Sequence, residues 1–590
     1  MRSYHVIITK LYDNSAAVNP PVRLAHMLGR LTCFRAFCAV APFLLLAKEP
    51  VRATHGMVVA QEPIAADVGL AVLKNGGNAV DAAVAVGFAL AVTHPVAGNI
   101  GGGGFMLVRL ADGKTDFLDF RECAPAKATR DMYLGPDGNP TRESIYGWKS
   151  AGVPGTVAGL ELAHQKFGSK SWKGLVAPAV GLAKDGFTLT EPVAASLRNE
   201  SNSLQQDAES KRIFLRSGNP YKAGELLKQP ELAATLERIA AGGAKGFYRG
   251  ETARKLAEEM AAHGGLITES DLRDYKVVER APLTGAYRGY HVITSPPPSA
   301  GGVGLLQMMG ILAGTGYESD GPDSPKAVHF EAEAMRRFYA DRSEYLGDPN
   351  FYNVPVKQLL DPAYLAWRRS TIDANRATPS EMIGPGLPKH EQARISWHES
   401  AETTHYNVVD SKGNAVAVTY TLNNSYGNGI TVPGLGFLLN DEMDDFAAKP
   451  GTPNMFGLVG ADANAIEPGK RPLSSMTPTI ITKDGKLLMV VGAPGGSMIT
   501  TGVTEVILDV LDFNMNAQDA VDLPRFHMQW KPDILYLQNG FSAQTEDALK
   551  AMGYAIKPVA GVARVEAIVA HNGVLEGGTE SRLHGKVAGY

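Results

Sequence analysis

Apolar and polar positions follow two rhythms along this chain. Between residues 61 and 92, alanine and valine recur at helical spacing, interrupted once at Gly76-Gly77-Asn78. That pattern predicts two helices, the first ended by a glycine cap and the second starting near Asn78. A glycine loop at 98–104 then leads into the strand-like run FMLVRL at 105–110. Further on, SPPPSAGG at 295–302 reads as a rigid turn ahead of a helix, and residues 327–345 as another helix.

After residue 403 the period shortens to two. Strand alternation occupies 408–420, 479–491 and 563–574, with turns at Ser411-Lys412-Gly413, Lys483-Asp484-Gly485 and Asn572-Gly573. Residues 501–513 predict a buried helix, and no internal repeat is visible. The pattern describes helices and strands in packed layers, with a strand-rich C-terminal third.

The stretch AETTHYNVVD at 401–410 sets two adjacent threonines at the start of a strand. If residue 409 pairs with 415 across the loop 410–413, Thr403 falls opposite Thr421, and Thr419, Thr421 and Asn423 share its face. A slip by one residue would change these partners. Three hydroxyls and an amide on one face are costly to bury without a purpose. A solvent-facing polar strand edge is the alternative.

Composition (44% hydrophobic, 20% charged, 8% aromatic) is that of a folded chain with a large core. The 590 residues have room for about three or four domains, or for one intertwined fold. A net charge of −4 gives no electrostatic reason for a nucleic-acid partner. The run AFCAVAPFLLLA at 36–47, preceded by Arg30 and Arg35, is too short for a membrane-spanning helix and has the form of a signal-peptide core. Residues 1–47 are therefore read as a signal, cleaved after Ala47 or Ala53, with Met27 as an alternative start and an uncleaved anchor as the alternative. A periplasmic or secreted protein is expected. Cys33 and Cys38 fall in that segment, which leaves Cys123 alone and permits neither a disulfide framework nor a cysteine metal site.

Several short constellations could carry chemistry. The glycine loop lacks the Lys-Ser/Thr of a phosphate loop, and close helix–strand packing is its expected role. His94, His405 and His527 lack metal-ligand spacing. The acids in NDEMDDF at 440–446 follow the apolar FLL at 437–439, which places them at the end of a buried strand, where they could hold a cation. RPLSSMTP at 471–478 offers neighbouring hydroxyls, and the Gly495-Gly496 pair can aim backbone N–H groups at a developing oxyanion.

Taken together, these segments resemble the γ-glutamyltranspeptidase family. The likeness rests on TTHY (403–406), NAVAVTYTLN (414–423), MDDF (443–446), KRPLSSMTP (470–478) and PGGS (494–497). Upstream it includes GGNAVDAA (76–83), THP (93–95), GGGGFM (101–106), DFRE (119–122), PGTV (154–157) and ADRSEYLGDP (340–349). It runs from about residue 50 to the C-terminal Gly589-Tyr590.

The resemblance implies an N-terminal-nucleophile hydrolase: an α+β, four-layer αββα sandwich of two intertwined subunits from one precursor. The cut would fall between Glu402 and Thr403, giving a large subunit 48–402 and a small one 403–590. It would free the Thr403 α-amine, whose pKa of ~8 suits it as general base for its own hydroxyl. Thr403 would attack γ-glutamyl amides such as glutathione, and water or an amino acid or dipeptide acceptor would resolve the acyl-enzyme. Thr421 would orient Thr403, and the Gly495 and Gly496 N–H groups would hold the oxyanion. Arg121, Ser474 and Ser475 would bind the substrate's α-carboxylate, and Asn423, Glu442 and Asp445 its ammonium. No cofactor is implied. Glu442 stands where bacterial relatives often have glutamine, a change that preserves an acceptor. Residues 450–460 resemble a lid in which Phe456 replaces a tyrosine, so a weaker closure is expected. A glutaryl or cephalosporin acylase of the same fold is the nearest alternative, and an uncleaved, non-catalytic binding protein a more distant one.

Overall fold

The computed structural model describes residues 49–387 and 403–590; residues 1–47, read above as a signal, and Glu402 lie outside the described residues. The period-two segments build two seven-stranded sheets, each antiparallel throughout. One sheet runs in the order Lys586–Gly589, Met57–Ala60, Thr404–Val409, Ala415–Thr421, Gly103–Arg109, Thr115–Asp119, Val278–Arg280. The other runs Val51–Ala53, Val574–Thr579, Glu566–His571, Lys486–Gly492, Thr479–Lys483, Tyr290–Thr294, Leu283–Tyr287. Strands from before and after residue 403 are interleaved in both. Residues 48–590 form one unit, so of the two organisations the length allowed, the chain takes the intertwined one.

The sheets stack face to face, with helices outside each. Along Ala415–Thr421 the alternation sorts side chains cleanly: Val416, Val418 and Tyr420 enter the core under the helices, Ala415 and Ala417 the core between the sheets. Helices Pro63–Lys74, Ala79–Thr93 and Thr156–Phe167 cover this sheet, and Gly301–Leu312, Ile499–Leu511 and Ala517–Asp522 cover the other, giving α, β, β and α layers. Ala79–Thr93 is buried all round and starts at the expected place, where Asn78 and Asp81 form a reciprocal capping box. Tyr406 and Tyr420 donate their hydroxyls to the carbonyls of Ala83 and Gly87, each at 3.0 Å, which pins the central hairpin to that helix.

Two expectations are corrected here. Gly101 to Gly104 press mainly on backbone outside the helices: a Cβ at Gly102 would lie 2.0 Å from the Thr421 carbonyl oxygen, and one at Gly104 2.3 Å from that of Thr419. Of this loop, Gly98 does meet a helix, at the Leu90 carbonyl. The FLL run makes no strand of the sheets; Leu438 forms a single bridge to Thr431, and the acids follow in a 3-10 turn, Glu442–Asp445.

Candidate active site

The hairpin Thr404–Val409/Ala415–Thr421 pairs 409 with 415, so Thr403 stands at the position facing Thr421, at the mouth of the space between the sheets. The Thr403 hydroxyl donates to Thr421 Oγ1 at 3.4 Å, and Thr421 Oγ1 also accepts from the Asn423 N–H at 2.8 Å. Asn423 turns the chain at φ 79°, a conformation asparagine tolerates better than most residues, and donates its amide to the Asp441 carbonyl at 3.1 Å. Thr419 shares this face but serves another partner: its hydroxyl bonds His405 Nδ1 at 2.8 Å, while His405 Nε2 meets Asn407 Oδ1 at 2.9 Å. Burial lowers the His405 pKa to about 3, so the imidazole is a neutral filler beneath Gly492.

The strand Thr115–Asp119 ends in a tight network that delivers Arg121. The Arg121 N–H bonds Asp119 Oδ1 at 3.0 Å, and its carbonyl accepts from the Tyr275 hydroxyl at 2.8 Å. The Arg121 guanidinium is fully buried and turns its fork to the acidic turn: Nη1 lies 2.5 Å from Glu442, and Nη2 bonds Asp445. Glu122 stands 4.0 Å from Nη1. Burial alone would lower the Arg121 pKa; Glu442, Asp445 and Glu122 outweigh it and hold it above its ordinary value. Burial pushes Glu122 up to about 7 and Glu442 well above the carboxylate range, with Arg121 pulling the other way in both. The groups expected to meet a ligand's carboxylate and ammonium thus meet one another here.

Asn440 fastens this turn to the glycine loop, donating to the carbonyls of Gly101 (2.8 Å) and Gly152 (2.9 Å) and accepting from the Glu442 N–H at 3.0 Å. Ser474 is fixed between backbone partners, its N–H on the Pro298 carbonyl at 2.9 Å and its own carbonyl receiving the Ala300 N–H at 2.7 Å. Gly495 and Gly496, at φ 139° and 54°, precede the helix Ile499–Leu511 in a conformation that favours glycine. Residues 450–460, expected to act as a lid, are tied down by Asn454 Nδ2 on Asp445 Oδ1 (3.2 Å) and the Met455 N–H on Asp444 Oδ2 (2.8 Å). Phe456 is buried, and Asn423 Nδ2 meets Met455 Sδ at 3.7 Å.

One cavity is lined by Thr403, Thr421, Asn423, Arg121, Glu442, Asp445, Ser474, Ser475 and Gly496; Gly495 stands outside the lining, against Ala563. Residues that sequence reasoning left without a role complete the surroundings: Glu122, Asn440, Asp444, Asn454 and Arg342. Their signal was weak. Each is a polar residue within a motif or acidic run, and only the fold shows that all but Asn454 are buried. The arrangement offers a hydroxyl nucleophile with an orienting hydroxyl, beside a buried cation matched to carboxylates that a zwitterion could separate.

Known proteins resemble this chain over most of its length. The family model described as γ-glutamyltranspeptidase matches residues 65–590. A glutathione hydrolase proenzyme of Escherichia coli K12 is 49% identical over 545 residues, 92% of this chain and 93% of the relative. One from Pseudomonas sp. strain A14 is 50% identical over 519 residues, 88% and 89% of the two chains. Among solved structures, a cephalosporin acylase from Bacillus halodurans aligns with a TM-score of 0.82 at 28% identity, covering 94% of this chain and 99% of that one. With its four layers and its motif residues gathered at one cavity, the chain is an N-terminal-nucleophile hydrolase and belongs to the γ-glutamyltranspeptidase family.

Proposed function

We propose that this chain is an exported γ-glutamyltranspeptidase and glutathione hydrolase that matures by cutting itself between Glu402 and Thr403. The observation that carries the reading is the Thr403–Thr421 pair beside the Arg121–Glu442–Asp445 cluster. A γ-glutamyl group ends in an α-carboxylate and an α-ammonium on one carbon. Entering the cluster, it trades partners: the carboxylate takes Arg121 with Ser474 and Ser475, and the ammonium takes Glu442, Asp445 and Asn423. Each buried charge exchanges one opposite charge for another, so none is stranded. The freed Thr403 amine then draws the proton from its own hydroxyl, Oγ attacks the γ-carbonyl, and Gly495 and Gly496 N–H groups steady the oxyanion. The leaving amine departs with a proton, and water or an acceptor amine cleaves the ester.

A glutaryl substrate carries no ammonium, so it would draw Arg121 away and leave Glu442 and Asp445 uncompensated; this argues against the acylase alternative. Two glutathione hydrolase proenzymes also stand at 49% and 50% identity, against 37% for the acylase ACY 1 proenzyme of Pseudomonas sp. strain SE83. Mass spectrometry of the purified protein tests the reading, with two chains expected, the smaller beginning at Thr403, and γ-glutamyl-p-nitroanilide turned over. Thr403→Ala is expected to remain one chain and release no nitroaniline; cleavage or activity in that variant sinks the nucleophile assignment. Fractionation is expected to place the mature enzyme outside the cytoplasm, and retention inside it would refute export.

A further inference from the structure

Arg342 borders the same cavity and is 5% exposed, yet its Nε has no hydrogen-bond partner and no carboxylate among the described residues forms an ion pair with it. The other arginines of its helix, Pro325–Tyr345, are matched: Arg336 and Arg337 both meet Glu333. A buried guanidinium left over in this way is costly unless a ligand supplies the anion. Its position is specific. Tyr339, one helical turn earlier, donates its hydroxyl to the carbonyl of Ser497, next to Gly496. On its far side Arg342 lines a second, small cavity beneath the lid, with Gly457, Leu458, Gln529 and Lys531.

The glutamyl end of the substrate has two charges, and the Arg121 cluster answers both. A second buried cation at the same cavity, attracted from a distance by Asp445 but in an ion pair with no carboxylate of the described residues, calls for a second anion, and the remaining reactant that carries one is the amino acid or dipeptide on the other side of the scissile bond. We propose that Arg342 binds the carboxylate of the acceptor, and of the corresponding peptide leaving group, holding its amine against the Thr403 ester. In that step the acceptor nitrogen bonds to the ester carbon, the carbon–Oγ bond breaks, and the proton lost by the amine returns to Thr403 Oγ through the α-amine. The planar fork of Arg342 suits a carboxylate in bidentate geometry.

The inference rests on the transpeptidase reading and is tested with glycylglycine and glycylglycinamide as acceptors, γ-glutamyl-p-nitroanilide being the donor. With the unaltered enzyme, removal of the acceptor carboxylate is expected to raise acceptor KM at least about tenfold. Arg342→Gln is expected to abolish this preference, and Arg342→Lys to restore part of it. Equal KM for the two acceptors, or a preference that survives in Arg342→Gln, overturns the proposal. The first arm needs no variant, so misfolding of Arg342→Gln leaves the test intact. Failure of the unaltered enzyme to hydrolyse the donor in the absence of acceptor would instead refute the transpeptidase reading itself.

Discussion

Arg121 is held in place by Glu442 and Asp445, the groups that the proposed substrate would draw away from it. Removing it would cost binding twice, through the lost carboxylate contact and through acids left facing one another. Arg121→Ala is therefore expected to raise donor KM by about 30-fold or more, in line with the ~2–5 kcal/mol cost of breaking a desolvated charge pair. Initial-rate kinetics on γ-glutamyl-p-nitroanilide check this, and a near-normal KM would mean that the carboxylate docks elsewhere. At this scale the sequence was a good guide to identity and a poor one to pairing. Motif and acidic run picked out Arg121, Glu442 and Asp445, but nothing in residue order says that they bond each other. Thr419 was assigned to the right face, yet its hydroxyl belongs to His405, because a shared face fixes direction and not partner.

Among the elements, the central hairpin takes the register expected for it. Both strands are buried on both faces, so alternation left a one-residue slip open; the register observed is the one that pairs 409 with 415 across the short polar turn, and it brings Thr403 to Thr421. The acidic turn was misread because FLL has the apolarity of a strand; those side chains are buried by loop packing instead of ladder pairing. Nor could alternation reveal the lid's anchors, since they are single hydrogen bonds from Asn454 and Met455 to acids of that turn. Phe456 supplies no hydroxyl to Asn423, so Phe456→Tyr is expected to add one bond across the closed lid and favour transfer over hydrolysis. A hydrogen bond of about 1 kcal/mol permits up to roughly a fivefold change. The transfer-to-hydrolysis ratio at fixed acceptor concentration measures it, and an unchanged ratio counts against the lid bond.

For the molecule as a whole, the buried acids should leave a mark on stability. Glu122 is raised from 4.5 to about 7, so the folded chain keeps a proton that the unfolded chain releases. That contribution is complete below about 4.5 and is lost as pH climbs to about 7. Glu122→Gln escapes the loss, and its Tm relative to the parent is expected to rise between pH 5 and pH 7.5 by on the order of a few °C. An equal Tm difference at both pH values would show that the Glu122–Glu442 pair does not titrate in this window. The interleaving of strands has a further consequence in time. Met57–Ala60 lies between Lys586–Gly589 and Thr404–Val409, so neither product of the cut can leave without dismantling a sheet. With the proposed cut, the fold would be laid down by one continuous chain and afterwards inherited by two. Once melted, the mature enzyme would have to find again, between separate molecules, pairings that were first made within one. The endurance of the proposed cut form would therefore be a matter of how slowly it opens, and its heat inactivation is expected to be a one-way passage.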